Sequence, residues 1–204
     1  MRYDIATLTI KLGAVGRVLP AIHAWSTAPE AGGTLLGCWA SEIGDLNEIT
    51  LFRAFADEAE MFQERWRTLA TARPFGCSEL LVDMRFDSYA PFPFLPPVVP
   101  GRYGEVYEIR TYRLKHGGVP ATIKAWEAAI PARIRLSPLI VAMYALDGLP
   151  RFTHIWPYKS LSDRTAVRAE MVAKAVWPPK GGPDWLTGDM KTVIAVPTAI
   201  SQLA

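Results

Sequence analysis

Tyr3-Asp4-Ile5-Ala6-Thr7-Leu8-Thr9-Ile10-Lys11-Leu12-Gly13-Ala14-Val15 returns further along the chain as Tyr107-Glu108-Ile109-Arg110-Thr111-Tyr112-Arg113-Leu114-Lys115-His116-Gly117-Gly118-Val119. Tyrosine, isoleucine, threonine, lysine, glycine and valine recur in register. Self-similarity at a fixed offset of about one small domain marks a duplicated unit. The echo continues downstream. Gly44-Asp45-Leu46 and the run from Ile49 to Phe55 reappear as Gly148-Leu149 and the run from Phe152 to Tyr158, after a slip of one residue.

Working outward, each copy reads βαββαβ. In the first, Tyr3 to Leu12 is rich in the Ile, Thr and Leu that suit a pleated surface. Gly13 breaks it, and Val15, Val18, Leu19, Ile22 and Trp25 recur at helical spacing until Pro29 stops the helix. Leu35 to Ala40 and Glu48 to Phe55 read as strands joined at Gly44-Asp45. Asp57 with Glu60 three residues on forms a capping box. The stripe behind it, Ala59, Phe62, Trp66 and Leu69, predicts a core-facing helix. Glu79 to Phe86 supplies the fourth strand. The second copy repeats this order. Its strands are Glu105 to Lys115, Leu139 to Leu146, Arg151 to Tyr158 and Lys191 to Val196. One helix carries Val119, Ile123, Trp126, Ile130 and Ile134, with Pro131 as a kink or early end. The other starts at Ser160 with Asp163 and runs to about Val176.

The division expected is 1–88 for the first unit, 89–102 for a proline strap and 103–204 for the second unit. The strap has five prolines in ten residues, so it should be extended and semi-rigid, its apolar side chains laid on the protein. A lone βαββαβ sheet with both helices on one face would leave the other face bare, which soluble proteins rarely tolerate. Two copies solve this by stacking those faces. The fold class expected is therefore α+β: two ferredoxin-like units packed sheet to sheet as one pseudo-twofold, barrel-like body.

Composition narrows the partners. Half the residues are hydrophobic, about a fifth are charged, and the net charge is +2 with no basic run, so nucleic acid is not expected. The start of the chain lacks a signal-peptide pattern, and no apolar run reaches the roughly 20 residues that span a bilayer. A cytoplasmic protein with no membrane partner is the expectation. Cys38 and Cys77 read as reduced, buried thiols. His23, His116 and His154 lack metal-ligand spacing, no phosphate-cradling glycine motif follows a strand, and no Gly-x-Ser-x-Gly elbow is present. No metal is expected.

The second copy resembles the NIPSNAP family. Val106-Tyr107-Glu108-Ile109-Arg110-Thr111-Tyr112-Arg113-Leu114-Lys115-His116-Gly117 is similar to the family's opening Tyr-Glu-Leu-Arg-x-Tyr with its Lys-x-Gly turn. His154-Ile155-Trp156-Pro157-Tyr158-Lys159-Ser160-Leu161-Ser162-Asp163-Arg164 resembles the family's His-Leu-Trp-x-Tyr-x-Ser-Leu-x-x-Arg. The first copy keeps Leu46-Asn47-Glu48 but has Ala6 where the signature has arginine, Leu51 for histidine and Arg53 for tryptophan. The resemblance implies the dimeric α/β-barrel superfamily, in which each unit can hold a pocket between its sheet and helices. Relatives there include cofactor-free oxygenases, isomerases, lyases and haem enzymes, so the fold alone does not fix a reaction.

The candidate site lies in the second copy. His154 shares a strand face with Phe152, Trp156 and Tyr158, an aromatic setting able to shift an imidazole for acid–base work. Its plainer reading is a neutral, structural histidine. Glu108, Arg110 and Tyr112 share a face of the first strand, which in a 4-1-3-2 sheet adjoins the strand of His154. Arg110 there could hold a carboxylate or enolate, or simply pair with Glu108. The catalytic candidates are His154 and Arg110, and the substrate-binding candidates Tyr112, Glu108, Trp156 and Tyr144. The loop from Trp177 to Trp185 is long enough to cover a pocket mouth. No cofactor is expected. Haem enters by superfamily analogy only, with His154 its one plausible ligand. The reading is a protein that binds a small apolar or aromatic molecule in the second unit, with cofactor-independent oxygenase, isomerase or acid–base chemistry left open. A non-enzymatic scaffold is the alternative, and a homodimer of the two-unit chain is compatible with either.

Overall fold

The repeat in the sequence is a repeat of hydrogen-bonding register. In the computed structural model, which describes residues 1–204, β1 (Arg2–Ile10) lies between β3 (Glu48–Phe55) and β4 (Leu81–Pro91). In the same way β5 (Val106–Leu114) lies between β7 (Arg151–Tyr158) and β8 (Leu186–Pro197). Asp4 is opposite Arg53 and Ala6 opposite Leu51. Their counterparts are Glu108 opposite Trp156 and Arg110 opposite His154. With β2 (Thr34–Ile43) beside β3 and β6 (Val141–Ala145) beside β7, each unit is a four-stranded antiparallel sheet in the expected order.

The two sheets also join at their edges, β2 to β8 and β4 to β6, closing an eight-stranded antiparallel barrel. Closure removes every free strand edge. Alternation along β1 sends Tyr3 and Ile5 inward, and along β5 Tyr107 and Ile109, where they meet Trp39, Phe52, Tyr89 and Ile155. The middle of the eight-stranded barrel is filled by these side chains. Gly37 shows how tight the centre is, since a Cβ there would lie 2.1 Å from the ring of Trp39.

Four helices cover the outside. α1 (Val15–Ser26) and α2 (Glu58–Leu69) lie on the first sheet, and α3 (Gly118–Arg133) and α4 (Leu161–Ala173) on the second. Both expected caps form. Asp57 accepts from the Glu60 amide at 2.9 Å and Ser160 from the Asp163 amide at 3.1 Å. No helix is long and apolar enough to cross a membrane.

Several expectations need correction. β4 runs on to Pro91, past Phe86, because the strap's first residues find a partner in β6. β8 begins at Leu186 rather than Lys191, since β5 offers partners that far. α4 ends at Ala173, short of Val176. The stripe of α2 faces water: Trp66 is 71% exposed, and Phe62 and Leu69 are exposed with it. Met61, Glu64 and Thr68 point inward instead. The cause is Arg53, whose buried guanidinium grips Asp4 at 2.9 and 2.7 Å and donates to Glu64 at 3.1 Å. Carboxylates offset the cost of burying this cation, and α2 is rotated so that Glu64 reaches it.

The strap integrates the two halves. Phe92 buries itself against Trp126 and Phe152 in the helix–sheet layer of the second unit, joined by Phe94 and Leu95. Further on, the Val98 amide donates to the Tyr3 hydroxyl at 3.0 Å. Gly101 and Tyr103 hydrogen-bond the last residues of the chain, seating Leu203 in the barrel interior.

Candidate functional site

β5 and β7 each send alternate residues outward, toward α3 and α4. From β5 come Glu108, Arg110 and Tyr112, and from β7 come Phe152, His154, Trp156 and Tyr158. With Trp126 and Arg133 of α3, Arg168 and Met171 of α4, and Trp177, Pro178, Pro179, Gly182 and Pro183 of the following loop, these residues line a partly open cavity of about 780 Å³. The loop therefore does form part of the wall. Of the six candidate residues, five line this cavity. Tyr144 does not. It sits on β6, on the far side of β7 from β5, packed beside the Phe92–Phe152 cluster.

His154 is buried at 2% exposure, ringed by Tyr112, Trp126, Phe152 and Trp156. The indole N–H of Trp156 donates to His154 Nδ1 at 2.6 Å. Indole has no lone pair to offer in return, so Nδ1 is the acceptor and the ring proton sits on Nε2. Nε2 has no protein partner. Burial, followed by the charges of Arg110, Arg133 and Arg168, holds the imidazole well below its usual pKa. His154 is thus a neutral imidazole offering one N–H.

Glu108 is fully buried and accepts from Arg110 Nη1 at 2.7 Å and from Arg164 Nη2, with Arg168 at 3.7 Å. Burial raises its pKa, but the Arg164 hydrogen bond and the three arginine charges outweigh burial and hold the carboxyl below its usual range. Arg110 is further occupied by Tyr112, whose hydroxyl accepts from Nε. The Glu108–Arg110 pair foreseen in the sequence is real, and it leaves Arg110 little freedom to hold anything else.

Arg133 was not foreseen, and it differs from the other arginines. Its guanidinium is stacked 3.8 Å over the Trp156 ring and donates to the Ser137 carbonyl at 3.2 Å. No carboxylate lies within ion-pair distance; Glu108 acts on it only from afar, and burial pulls its pKa down to about 10. Its Nε has no partner. A sequence signal existed: Arg133 continues the Trp126, Ile130 face of α3 at helical spacing, and a cation on an apolar helical face is unusual. Along the cavity wall three arginines meet one carboxylate, Glu108.

A haem iron fits this site poorly. It would need a free lone pair on the imidazole, and with Trp156 donating to Nδ1 the unpartnered Nε2 carries the ring proton and has none to give.

The first unit has no matching chamber at these positions. Leu51 fills the place of His154 and is fully buried, and Arg53, in the place of Trp156, spans to Asp4 and Glu64. A second cavity of about 790 Å³ opens inside one mouth of the barrel. Charged residues dominate its rim, and several pair off, Arg85 with Glu48 and Arg151 with Asp87. It does not reach His154.

The NIPSNAP family profile matches residues 3–96 and again residues 107–202. A curated relative, "Protein NipSnap homolog" of Dictyostelium discoideum, is 26% identical over 150 residues, 72% of this chain and 66% of the relative. The chain thus spans just under two thirds of that relative's length. Among solved structures, a putative monooxygenase from Lactobacillus acidophilus superposes with a TM-score of 0.67 at 13% identity, covering 100% of this chain and 97% of that one. An anthrone oxidase-like protein superposes with a TM-score of 0.67 at 11% identity, covering 97% and 91%. At such identities the likeness is one of fold.

Proposed function

The chain belongs to the NIPSNAP family, and from that premise we propose that it binds a small, largely apolar or aromatic molecule between the sheet and helices of its second unit. One observation carries this reading: the aromatic-walled chamber of about 780 Å³ that ends at the buried N–H of His154. A scaffold protein has no need of such a space, and a packed interior would have filled it. Ligand sites are typically apolar hollows with a few convergent polar groups.

The chemistry available is charge stabilisation. His154 Nε2–H and the guanidinium of Arg133 are donors held ready in a water-poor setting, where they act most strongly on developing negative charge. A free base is missing from the wall. Glu108 is held by arginines and His154 offers no lone pair to the cavity. Any transformation here acts on a substrate that brings its own ionised or readily ionised group. The names of the fold neighbours, a putative monooxygenase and an anthrone oxidase-like protein, are compatible with oxidation of such a molecule.

A thermal-shift screen of aromatic and apolar compounds tests the reading. A true ligand at 100 times its Kd adds about 2.7 kcal/mol of stability. The shift should fall when His154 is replaced by Ala. Shifts that survive in both His154→Ala and Arg110→Ala would remove the site from this chamber.

A second reading, that the protein docks another protein or a second copy of itself, has one observation in its favour. Phe62, Trp66 and Leu69 form an exposed apolar stripe on α2. Sedimentation of the wild type against a Phe62→Ser, Trp66→Ser variant tests it.

A further inference from the structure

The chamber has a polarity that an apolar ligand alone does not explain. Arg133 is 2% exposed, lines the cavity, and has no carboxylate partner. Leaving a buried charge without a counter-charge is costly, so folded proteins seldom keep one without a use. The other arginines near the cavity do not share this condition, because Glu108 serves Arg110, Arg164 and Arg168 together. His154 Nε2 is a second buried donor with nothing to donate to. Trp156 links the two groups. Its ring lies under the Arg133 guanidinium, and its N–H fixes the tautomer that puts the His154 proton on Nε2, the nitrogen left without a protein partner.

Resting on the reading that this chamber is a ligand site, we infer that its ligand is an aromatic acid bound as the anion, with the acid oxygens received by Arg133 and by Nε2–H of His154. The ring system of the ligand lies among Trp126, Phe152 and Trp177. Its anionic group supplies the counter-charge that Arg133 lacks. Arg110, the arginine that the strand pattern suggests, is a positioning residue that keeps Glu108 ionised. Neutral imidazole is essential to this arrangement, because it donates without adding a further charge beside the arginines.

The test compares two fluorescent probes with one ring skeleton, 8-anilinonaphthalene-1-sulfonate and the uncharged N-phenyl-1-naphthylamine. Wild-type protein should bind the sulfonate at least about tenfold more tightly, the value of one charge-assisted hydrogen bond in a buried site. In Arg133→Met the preference should collapse toward parity while the neutral probe keeps its affinity. Arg133→Lys should restore part of it, which separates loss of charge from loss of fold. Equal binding of both probes by wild type overturns the anion inference and leaves the ligand chamber standing. A preference that persists in folded Arg133→Met does the same. Failure of both probes to bind overturns the ligand chamber itself, and the inference with it.

Discussion

Trp156 and His154 lie two residues apart on one strand, and the indole N–H of the first donates to Nδ1 of the second at 2.6 Å. Because residues i and i+2 share a strand face, the pair needs no long-range accident to form. It decides what His154 can do. An imidazole whose Nδ1 is occupied by a donor that cannot accept must carry its proton on Nε2. The histidine that the sequence marks as an acid or base is, in place, better arranged as an oxyanion donor.

That arrangement has a pH signature. Burial, followed by the charges of Arg110, Arg133 and Arg168, depresses the His154 pKa well below 6.5. The unfolded chain therefore takes up a proton as pH falls through about 6.5 while the folded protein does not. Stability is fully present above 6.5 and declines below it, by up to about 1.4 kcal/mol per pH unit until the folded pKa is reached. Urea denaturation from pH 7.5 to 5 should show this slope in the wild type and a flatter one in His154→Gln. Equal slopes would mean that His154 is not held neutral.

Arg133 should reveal itself by what its removal improves. Its charge is buried without a carboxylate, and stacking on Trp156, the more distant ring of Trp177, the Ser137 carbonyl and the Tyr158 hydroxyl offset only part of the loss of water. Even a buried ion pair is often replaced by apolar side chains of similar volume at no cost or with a gain of about 1–4 kcal/mol, and Arg133 has no carboxylate partner to strand. Loss of the cation–π contact returns about 0.5–2 kcal/mol of that. Arg133→Met is expected to raise stability by about 1–2 kcal/mol in urea melts, while weakening anion binding. A clear drop in stability would show that the arginine is structural.

Much of the fold was legible because two independent copies of one pattern agree. Strand order, both N-caps and the βαββαβ repeat follow from local chemistry, and the strap follows from its prolines. The site was legible only as far as strand alternation reaches: Glu108, Arg110 and Tyr112 on one strand, His154 and Trp156 on the next. Tyr144 shares that outward side but stands one strand too far, a distance that alternation cannot measure. Arg133 and Arg168 come from helices, whose rotation is set by packing. On α2 the apolar stripe misleads, since the need of Arg53 for Glu64 overrides it.

The rotation of α2 can be checked by comparing two residues on its opposite faces. Trp66 is in water and Met61 is fully buried. Exposed substitutions away from special contacts usually stay within about 0.5 kcal/mol, whereas buried Met→Ala costs about 2–5 kcal/mol. Trp66→Ser should leave Tm nearly unchanged and Met61→Ala should lower it substantially. The reverse order would restore the helix phase suggested by hydrophobic spacing.

The first unit offers the last test, because it holds an ion network where the second unit holds a chamber. Arg53 stands in the place of Trp156 and binds Asp4 with two hydrogen bonds and Glu64 with a third. Asp4 and Glu64 are themselves buried, so Arg53→Met would strand both carboxylates without their central cation. Breaking a buried pair on one side costs about 3–5 kcal/mol. Denaturant melts of Arg53→Met should show a loss of that size, partly relieved by a second substitution, Asp4→Asn, because the amide no longer needs a counter-charge. Probe affinity in the second unit should not change in the folded variant, since Arg53 belongs to the opposite sheet. If it weakened in step with stability, the barrel would be transmitting strain between its halves, and the network would be part of the binding site.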